Sequence, residues 1–146
     1  MMLYLVFFIS VLLAPTTATA TETFVCIGDI ATGFAFDATS RQWEKASFKS
    51  NTKYVITKSS STETVWEVKQ VGKNIPTALC DQDFNDTGGL TCRGFEEFRM
   101  NKNNLRFVRA YLFGYWTDNA MNRLTGERFA ESENTPVIEI GRGSRL

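Results

Sequence analysis

Short runs of alternating apolar and polar residues, separated by turn-forming residues, constrain the fold of this chain more than any other feature of its sequence. Residues 53–58 and 64–71 alternate in this way, and the second run places Trp66 and Val68 on the same side. A period of two is typical of half-buried β-strands, because successive side chains point to opposite faces of a sheet. β-Branched and aromatic residues, which suit a pleated surface, are frequent in these runs. The pattern therefore predicts an all-β fold.

Turn residues between the runs predict how the strands follow one another. Residues 23–27 and 33–37 are predicted as the first two strands, with a turn at 29–33 between them. Residues 77–81 and 90–93 are predicted as the arms of a later hairpin. About seven or eight short strands joined by tight turns favour a single antiparallel meander closed into a small β-barrel, lipocalin-like or inhibitor-like. A β-sandwich is the alternative, because periodicity does not report closure of the sheet.

The first residues have the layout of a cleaved secretion signal. An apolar run at 3–14 is followed by Pro15 and by the small residues Ala18-Thr19-Ala20, which suit a signal peptidase. The run is shorter than the ~20 residues that a membrane-spanning helix needs, so no stable membrane anchor is expected after cleavage. No Lys or Arg precedes the run, and an uncleaved anchor is the alternative. We predict a signal peptide at 1–20 and a single all-β domain at 21–146, secreted or periplasmic.

Charge and composition exclude several classes of function. The chain has 16 basic and 16 acidic residues, so it lacks the broad positive charge that nucleic-acid binding requires. It contains no histidine, which removes Ser-His-Asp and Cys-His catalysis and the common zinc sites. No phosphate loop or dinucleotide fingerprint is present. We therefore expect no nucleic-acid partner, no cofactor and no catalytic motif.

Carboxylate pairs are the catalytic chemistry that the composition still allows. Glycoside hydrolysis uses two carboxyl groups about 5–9 Å apart across a cleft. Glu96 and Glu97 are adjacent, so on a strand they would point to opposite faces and would not converge. The sequence favours a solvated turn or strand edge at this position.

A second acidic stretch has part of the spacing of a calcium loop. Asp81, Asp83 and Asn85 match the first alternating oxygen ligands of such a loop. Asp86 stands where the sharp turn requires glycine, and Cys92 stands where a bidentate glutamate should close the site. We therefore predict a solvated hairpin tip and no metal site.

The most apolar stretch of the predicted domain is 105–116. If it forms one strand, Phe107, Arg109 and Tyr111 share a face, and both faces are largely apolar beyond Ala110. Aromatic side chains usually fill interiors, so a central strand in the core is the ordinary interpretation. The functional alternative is a surface for a ligand or partner, because tyrosine and tryptophan combine flat apolar faces with polar tips. The candidate binding residues are Tyr111, Phe113, Tyr115 and Trp116.

Three cysteines cannot all pair within one chain. Cys80 and Cys92 flank the predicted hairpin symmetrically about Asp86. If the arms pair in that register, the two cysteines lie opposite each other, where a disulfide is geometrically allowed. Cys26 would then be a free thiol. Pairing of Cys26 with one of the others is the alternative, because connectivity cannot be read from sequence.

A set of short segments spans nearly the whole predicted domain. They are Phe24-Val-Cys26, Thr32-Gly-Phe34, Trp43, Lys53-Tyr-Val-Ile56, Cys80 and Cys92, Gly94-Phe95, Phe98-Arg-Met-Asn101, Arg106-Phe107, Tyr111, Gly114-Tyr115 and Thr135-Pro-Val-Ile-Glu-Ile-Gly141. In these segments the chain resembles a group of small, secreted, functionally uncharacterised proteins from bacteria and their phages. The group implies no activity. The resemblance also implies a fourth cysteine two residues after the position of Gly141, bridged to Cys26, and this chain has Gly143 there.

Three function hypotheses follow. The main one is a secreted or periplasmic module, not an enzyme and expected as a monomer, that binds a small ligand or a protein. The first alternative is a hydrolase that uses carboxylates. The second is a structural or assembly protein of the envelope, as a dimer through Cys26. Binding predicts a concave apolar pocket or an exposed aromatic patch, whereas hydrolysis predicts two inward carboxylates in one cleft.

Overall fold

The computed structural model describes residues 22–112, 115 and 135–146 of the chain. The predicted signal peptide at 1–20 lies outside the described residues. Within the described part of the chain, no helix is both long enough and apolar enough to cross a membrane.

The described backbone forms one antiparallel sheet of nine strands. They are β1 (Phe24–Asp37), β2 (Gln42–Phe48), β3 (Lys53–Lys58), β4 (Trp66–Gln70), β5 (Ala78–Cys80), β6 (Gly89–Gly94), β7 (Glu97–Asn101), β8 (Arg106–Tyr111) and β9 (Val137–Arg145). The strands pair in the order β2–β1–β3–β4–β5–β6–β7–β8–β9, and β9 also pairs with β1. The sheet therefore closes into an eight-stranded barrel that excludes only β2. The predicted antiparallel barrel is confirmed, and the sandwich alternative is wrong.

β1 is one continuous strand of 14 residues, so the turn predicted at 29–33 is wrong. β9 pairs with β1 on both sides of a register shift between Gly28 and Ile30, which is a β-bulge. The extra residue shifts the alternation of side chains, so Gly28 and Ala31 are both buried. The turn-forming residues bend the strand without reversing it, because the ladder to β9 continues past them.

β1 and β2 continue to pair with each other past Val137, the first residue of β9. The pairing of β1 with β9 ends at Gly33, whereas its pairing with β2 runs to Asp37 opposite Gln42. We call residues 34–45 the arm. Its turn is held by the Asp37 carboxylate, which accepts hydrogen bonds from Thr39 N at 2.8 Å and Ser40 Oγ at 2.9 Å.

Buried side chains fill the barrel. The Tyr54 ring lies across the interior from Phe107, with centroids 5.8 Å apart. Phe84 packs against Phe24 and Trp66, with centroids 5.4 Å and 5.2 Å away. The other members of the buried cluster are Cys26, Ile56, Val68, Ala78, Cys80, Leu90, Cys92, Phe98 and Met100. These side chains form a packed apolar core inside the barrel.

β8 ends at Tyr111, so the strand considered over 105–116 is shorter than the sequence indicated. Its last pair joins Tyr111 to Val137 of β9. Pro136 precedes Val137 and has no backbone N–H, so it does not donate a further hydrogen bond to the ladder. Phe107 is buried and faces inward, whereas Val108 is exposed on the outer face.

The predicted hairpin is formed by β5 and β6. Leu79 pairs with Arg93, which places Cys80 opposite Cys92. These two cysteines form a disulfide, and Cys26 is free and buried. The predicted pairing is confirmed, and the alternative bridges to Cys26 are wrong.

Candidate functional site

Two of the four aromatic residues predicted as a binding surface, Tyr111 and Tyr115, lie among the described residues. Tyr111 is half-buried at the end of β8, with its side chain on the same side of the strand as Phe107. Tyr115 is 61% exposed. Phe113 and Trp116 lie outside the described residues.

Tyr115 lines an apolar pocket against the arm. The pocket has a volume of about 460 Å³ and is formed by Phe34, Trp43, Leu112, Tyr115 and Pro136. We call it the arm pocket. The Trp43 and Tyr115 rings meet edge to face, with centroids 5.2 Å apart. Phe34 is 54% exposed, so an apolar group entering the pocket would gain contact with an aromatic ring.

The local sequence explains how the arm presents these rings. Phe34 and Phe36 alternate on β1, so they lie on one face, and Phe36 is directly opposite Trp43 on β2. Their rings pack edge to face at 5.5 Å. Phe34 N donates a hydrogen bond to Pro136 O at 3.1 Å, which ties the arm to the start of β9. A Cβ at Gly33 would lie 1.9 Å from Pro136 O, so this close approach requires glycine.

A second cluster, of charged and polar side chains, lies inside the barrel. Glu139 of β9 is 2% exposed and accepts hydrogen bonds from Tyr54 Oη at 2.8 Å and Ser50 Oγ at 3.0 Å. Arg109 of β8 is directly opposite Glu139, with Nε 3.1 Å from Glu139 Oε2. Arg109 also forms an ion pair with Glu96 through Nη1. One guanidinium thus bridges two inward carboxylates.

The protonation of the cluster follows from its burial and its charges. Burial is the largest single effect on the pKa of Arg109 and lowers it, but Glu96, through its charge and its hydrogen bond, together with Tyr54 and Glu139, leaves that pKa raised. Burial is also the largest cause of the raised pKa of Tyr54, and its hydrogen bond to Glu139 acts in the same direction. Arg109 therefore stays charged and Tyr54 stays neutral, which keeps the cation and the hydroxyl donor in place.

Gly28 makes room for the buried carboxylate of Glu139. A Cβ at Gly28 would lie 1.9 Å from Glu139 Oε1 and 2.6 Å from Ser50 Oγ. The bulge in β1 directs this glycine inward at the level of the cluster. Two polar atoms of the cluster, Glu96 Oε2 and Arg109 Nε, have no hydrogen-bond partner among the described residues. Arg109 Nε forms an ion pair with Glu139 Oε2, but the contact does not have the geometry of a hydrogen bond.

Glu96 and Glu97, which are adjacent in the sequence, lie on opposite sides of the barrel wall. Glu96 contacts Arg109 inside, whereas Glu97 contacts Arg99, and both residues of this second pair are exposed by 40% or more. The second inward carboxylate is Glu139, which the sequence did not single out. Because Arg109 contacts both carboxylates and Glu139 is nearly inaccessible, we interpret the cluster as part of the interior.

Two of the three candidate ligands of the partial calcium loop, Asp83 and Asn85, already accept hydrogen bonds from protein donors. Asp83 Oδ1 accepts from Trp66 Nε1 at 2.7 Å, and Asp83 Oδ2 accepts from Lys58 Nζ at 2.8 Å. These bonds, that from Lys58 first, lower the pKa of Asp83 to about 2. Asn85 Oδ1 accepts from Gly89 N at 2.7 Å. Among the described residues, no three carboxylate, cysteine or histidine side chains are placed to hold a metal ion.

Sequence reasoning missed both groupings for the same reason. The arm pocket joins Phe34 and Trp43 of one hairpin to Pro136, and the interior cluster joins Glu96 to Glu139; in both cases the partners are remote in sequence. Alternation did provide partial signals. Phe34 and Phe36 were on one face of a predicted strand, and Arg109 stood on an otherwise apolar face.

No protein-family model, no curated protein and no solved structure matches this chain.

Proposed function

We propose that this protein is a secreted or periplasmic binding module, not an enzyme, that receives an apolar group of a ligand or partner in the arm pocket. One observation carries the proposal. Phe34, Trp43 and Tyr115 converge on an apolar pocket of about 460 Å³, whereas the barrel interior is filled by its own side chains. Concave sites lined by aromatic and aliphatic residues are the usual sites of ligand binding.

Two further observations support the proposed compartment. The Cys80–Cys92 disulfide suits an oxidising environment outside the cytosol. The first 20 residues have the layout of a secretion signal. The resemblance to uncharacterised secreted proteins points to the same compartment and adds no activity.

Site-specific photo-cross-linking tests the proposal. The photoreactive residue p-benzoylphenylalanine replaces Phe34 in the pocket, and the protein is irradiated in the extracellular or periplasmic fraction of its source. We expect a discrete cross-linked product. A matched variant carries the same residue at Ile75, which is 73% exposed on the loop between β4 and β5, and should give none.

Trp43→Ala in the Phe34 cross-linking variant is the specificity control. Aromatic anchors often contribute most of the energy of an interface, so we expect its removal to reduce the yield of the product by roughly tenfold. Equal yields from positions 34 and 75, or a yield that is unchanged by Trp43→Ala, would exclude the arm pocket as the binding site.

A further inference from the structure

The outer wall of the barrel beside the arm pocket is apolar. Ile30 of β1, Ile140 of β9 and Val108 of β8 lie directly opposite one another on three neighbouring strands. All three are exposed, by 61%, 48% and 36%. The next row toward the pocket contains Ile138, also exposed, opposite Ala110. We call these five residues the apolar wall.

The apolar wall is continuous with the arm pocket along the strands. Phe34 and Ile30 are on the same outer face of β1, with Thr32 between them, Leu112 lies two residues after Ala110 just beyond the end of β8, and Pro136 precedes β9. A wall of this kind is not general to the barrel. On β3 and β4 the outward positions are mainly polar, with Thr57 opposite Glu67 and Val55 opposite Lys69. Isolated exposed apolar residues are ordinary, whereas a contiguous patch marks a contact surface.

Cations predominate around the apolar wall. Arg106 and Arg142 lie opposite each other one row below Val108 and Ile140, and Arg99 is directly opposite Val108. On the arm, Lys45 is opposite Phe34. Two of these cations contact an acid, Arg142 to Asp29 and Arg99 to Glu97. Arg106 and Lys45 form no ion pair with any described residue, so the rim of the wall is positively charged.

We infer that the arm pocket and the apolar wall together dock a different protein, whose apolar contact patch is bordered by carboxylates. The inference rests on the proposed function and names the partner of that site. A second copy of this chain fits poorly, because a symmetric contact through the same face would bring two positive rims together. At the apolar wall the partner docks by its side chains, because every strand of the wall already has two neighbours in the closed barrel.

Two synthetic peptides of opposite charge test the inference on the purified protein. Both are capped octapeptides with Leu-Phe-Ile-Val at the centre; one has two Glu at each end and the other has two Lys. In NMR titrations of ¹⁵N-labelled protein, we expect the Glu peptide to shift amides of β8, β9 and the arm. Its affinity should fall at high salt, and the Lys peptide should bind at least tenfold more weakly.

Three variants test the contribution of the wall and its rim. Ile140→Ser and Arg106→Glu should each weaken binding of the Glu peptide by roughly tenfold. Val55→Ser, an outward position on β3, is the matched control and should leave the affinity unchanged. Dispersed NMR spectra of all variants check that they fold.

Each other outcome overturns the inference in a distinguishable way. Equal binding of the two peptides, or binding of neither, excludes an acid-bordered partner. If Trp43→Ala abolishes binding while Ile140→Ser has no effect, the arm pocket alone binds, and the proposed function stands without the wall. Concentration-dependent dimerisation that Ile140→Ser removes would make a second copy the occupant.

Discussion

Arg109 is the residue on which the interior of the barrel most depends. It is the cation between Glu96 and Glu139, and both carboxylates are largely buried. Replacing it would leave two buried carboxylates without a cation, which is far more destabilising than losing an exposed ion pair.

Arg109→Met is expected to lower the free energy of unfolding by about 3–5 kcal/mol. Arg109→Lys should recover part of the loss, because an ammonium keeps the charge but not the planar geometry that contacts two carboxylates. Urea denaturation measures both. The control is Arg99→Met in the exposed pair with Glu97, which should cost at most about 1 kcal/mol. An Arg109→Met protein as stable as this control would contradict the role of the cluster.

Gly143 occupies the position from which a bridge to Cys26 would be made. The two residues are paired across β1 and β9, and a Cβ at Gly143 would lie 3.0 Å from Cys26 Sγ. A Cβ lies about 3 Å from the far sulfur in an ordinary disulfide. Gly143→Cys should therefore bridge to Cys26, leaving no free thiol under oxidising conditions.

The new bridge should raise the free energy of unfolding by up to about 4–5 kcal/mol, the chain-entropy value for a loop of ~100 residues. Thiol counting of the denatured protein detects the bridge, and Gly143→Ser is the control for the added side-chain volume. Two thiols still free in the oxidised Gly143→Cys protein, with Cys80 and Cys92 paired, would contradict the register.

Ionisation of Cys26 should make the free energy of unfolding decrease at alkaline pH. Burial raises its pKa from 9.0 to about 12 in the folded state. The unfolded thiol ionises first, so its contribution to stability is complete below pH ~9 and is lost as the pH rises toward 12. Between pH 8 and 11, we expect the free energy of unfolding to fall less steeply in Cys26→Ala. Tyr54, whose pKa is also raised, remains in both proteins, so parallel slopes would exclude the thiol effect.

At the level of elements, the short strand β5 depends on its disulfide. β5 has three residues and is joined to β6 by the bridge between Cys80 and Cys92, which are 12 residues apart. The Cys80→Ala/Cys92→Ala protein should lose about 3 kcal/mol of stability, the chain-entropy value for a loop of roughly this size. Urea denaturation measures the loss, with the oxidised Cys26→Ala protein as the control that keeps the bridge. A loss of stability below about 1 kcal/mol would show that the hairpin does not depend on the disulfide.

The elements also show how far alternation predicts this fold. Alternation identified the β5–β6 hairpin correctly. The two predicted strands and the two cysteines that flank the turn all indicated the register in which Cys80 lies opposite Cys92. Alternation failed at 29–33, where turn-forming residues sit in a bulge, since the partner strand that holds β1 straight is more than 100 residues away. It also overextended β8, because the strand ends where Pro136 of the neighbouring segment stops the ladder.

At the level of the whole molecule, closure of the sheet brings together what the sequence separates. β9 pairs with both β1 and β8. This pairing places Glu139 opposite Arg109 on the inside of the barrel, and it places Ile140 opposite Val108 and Ile138 opposite Ala110 on the outside. Alternation within each strand assigns a residue to a face, but it does not state which faces meet or which side is the interior. The barrel was therefore predictable, whereas the cluster and the apolar wall were not.

The central claim is that this barrel binds with its outer surface and not with its interior. Methyl NMR of isoleucine-labelled protein, titrated with the Glu-flanked peptide, tests it most directly. Ile30, Ile138 and Ile140 report the outer wall, Ile56 reports the core, and Ile75 reports an unrelated loop. We predict shifts of the three wall methyls with Ile56 and Ile75 unchanged. A shift of Ile56 without shifts of the wall methyls would contradict the claim.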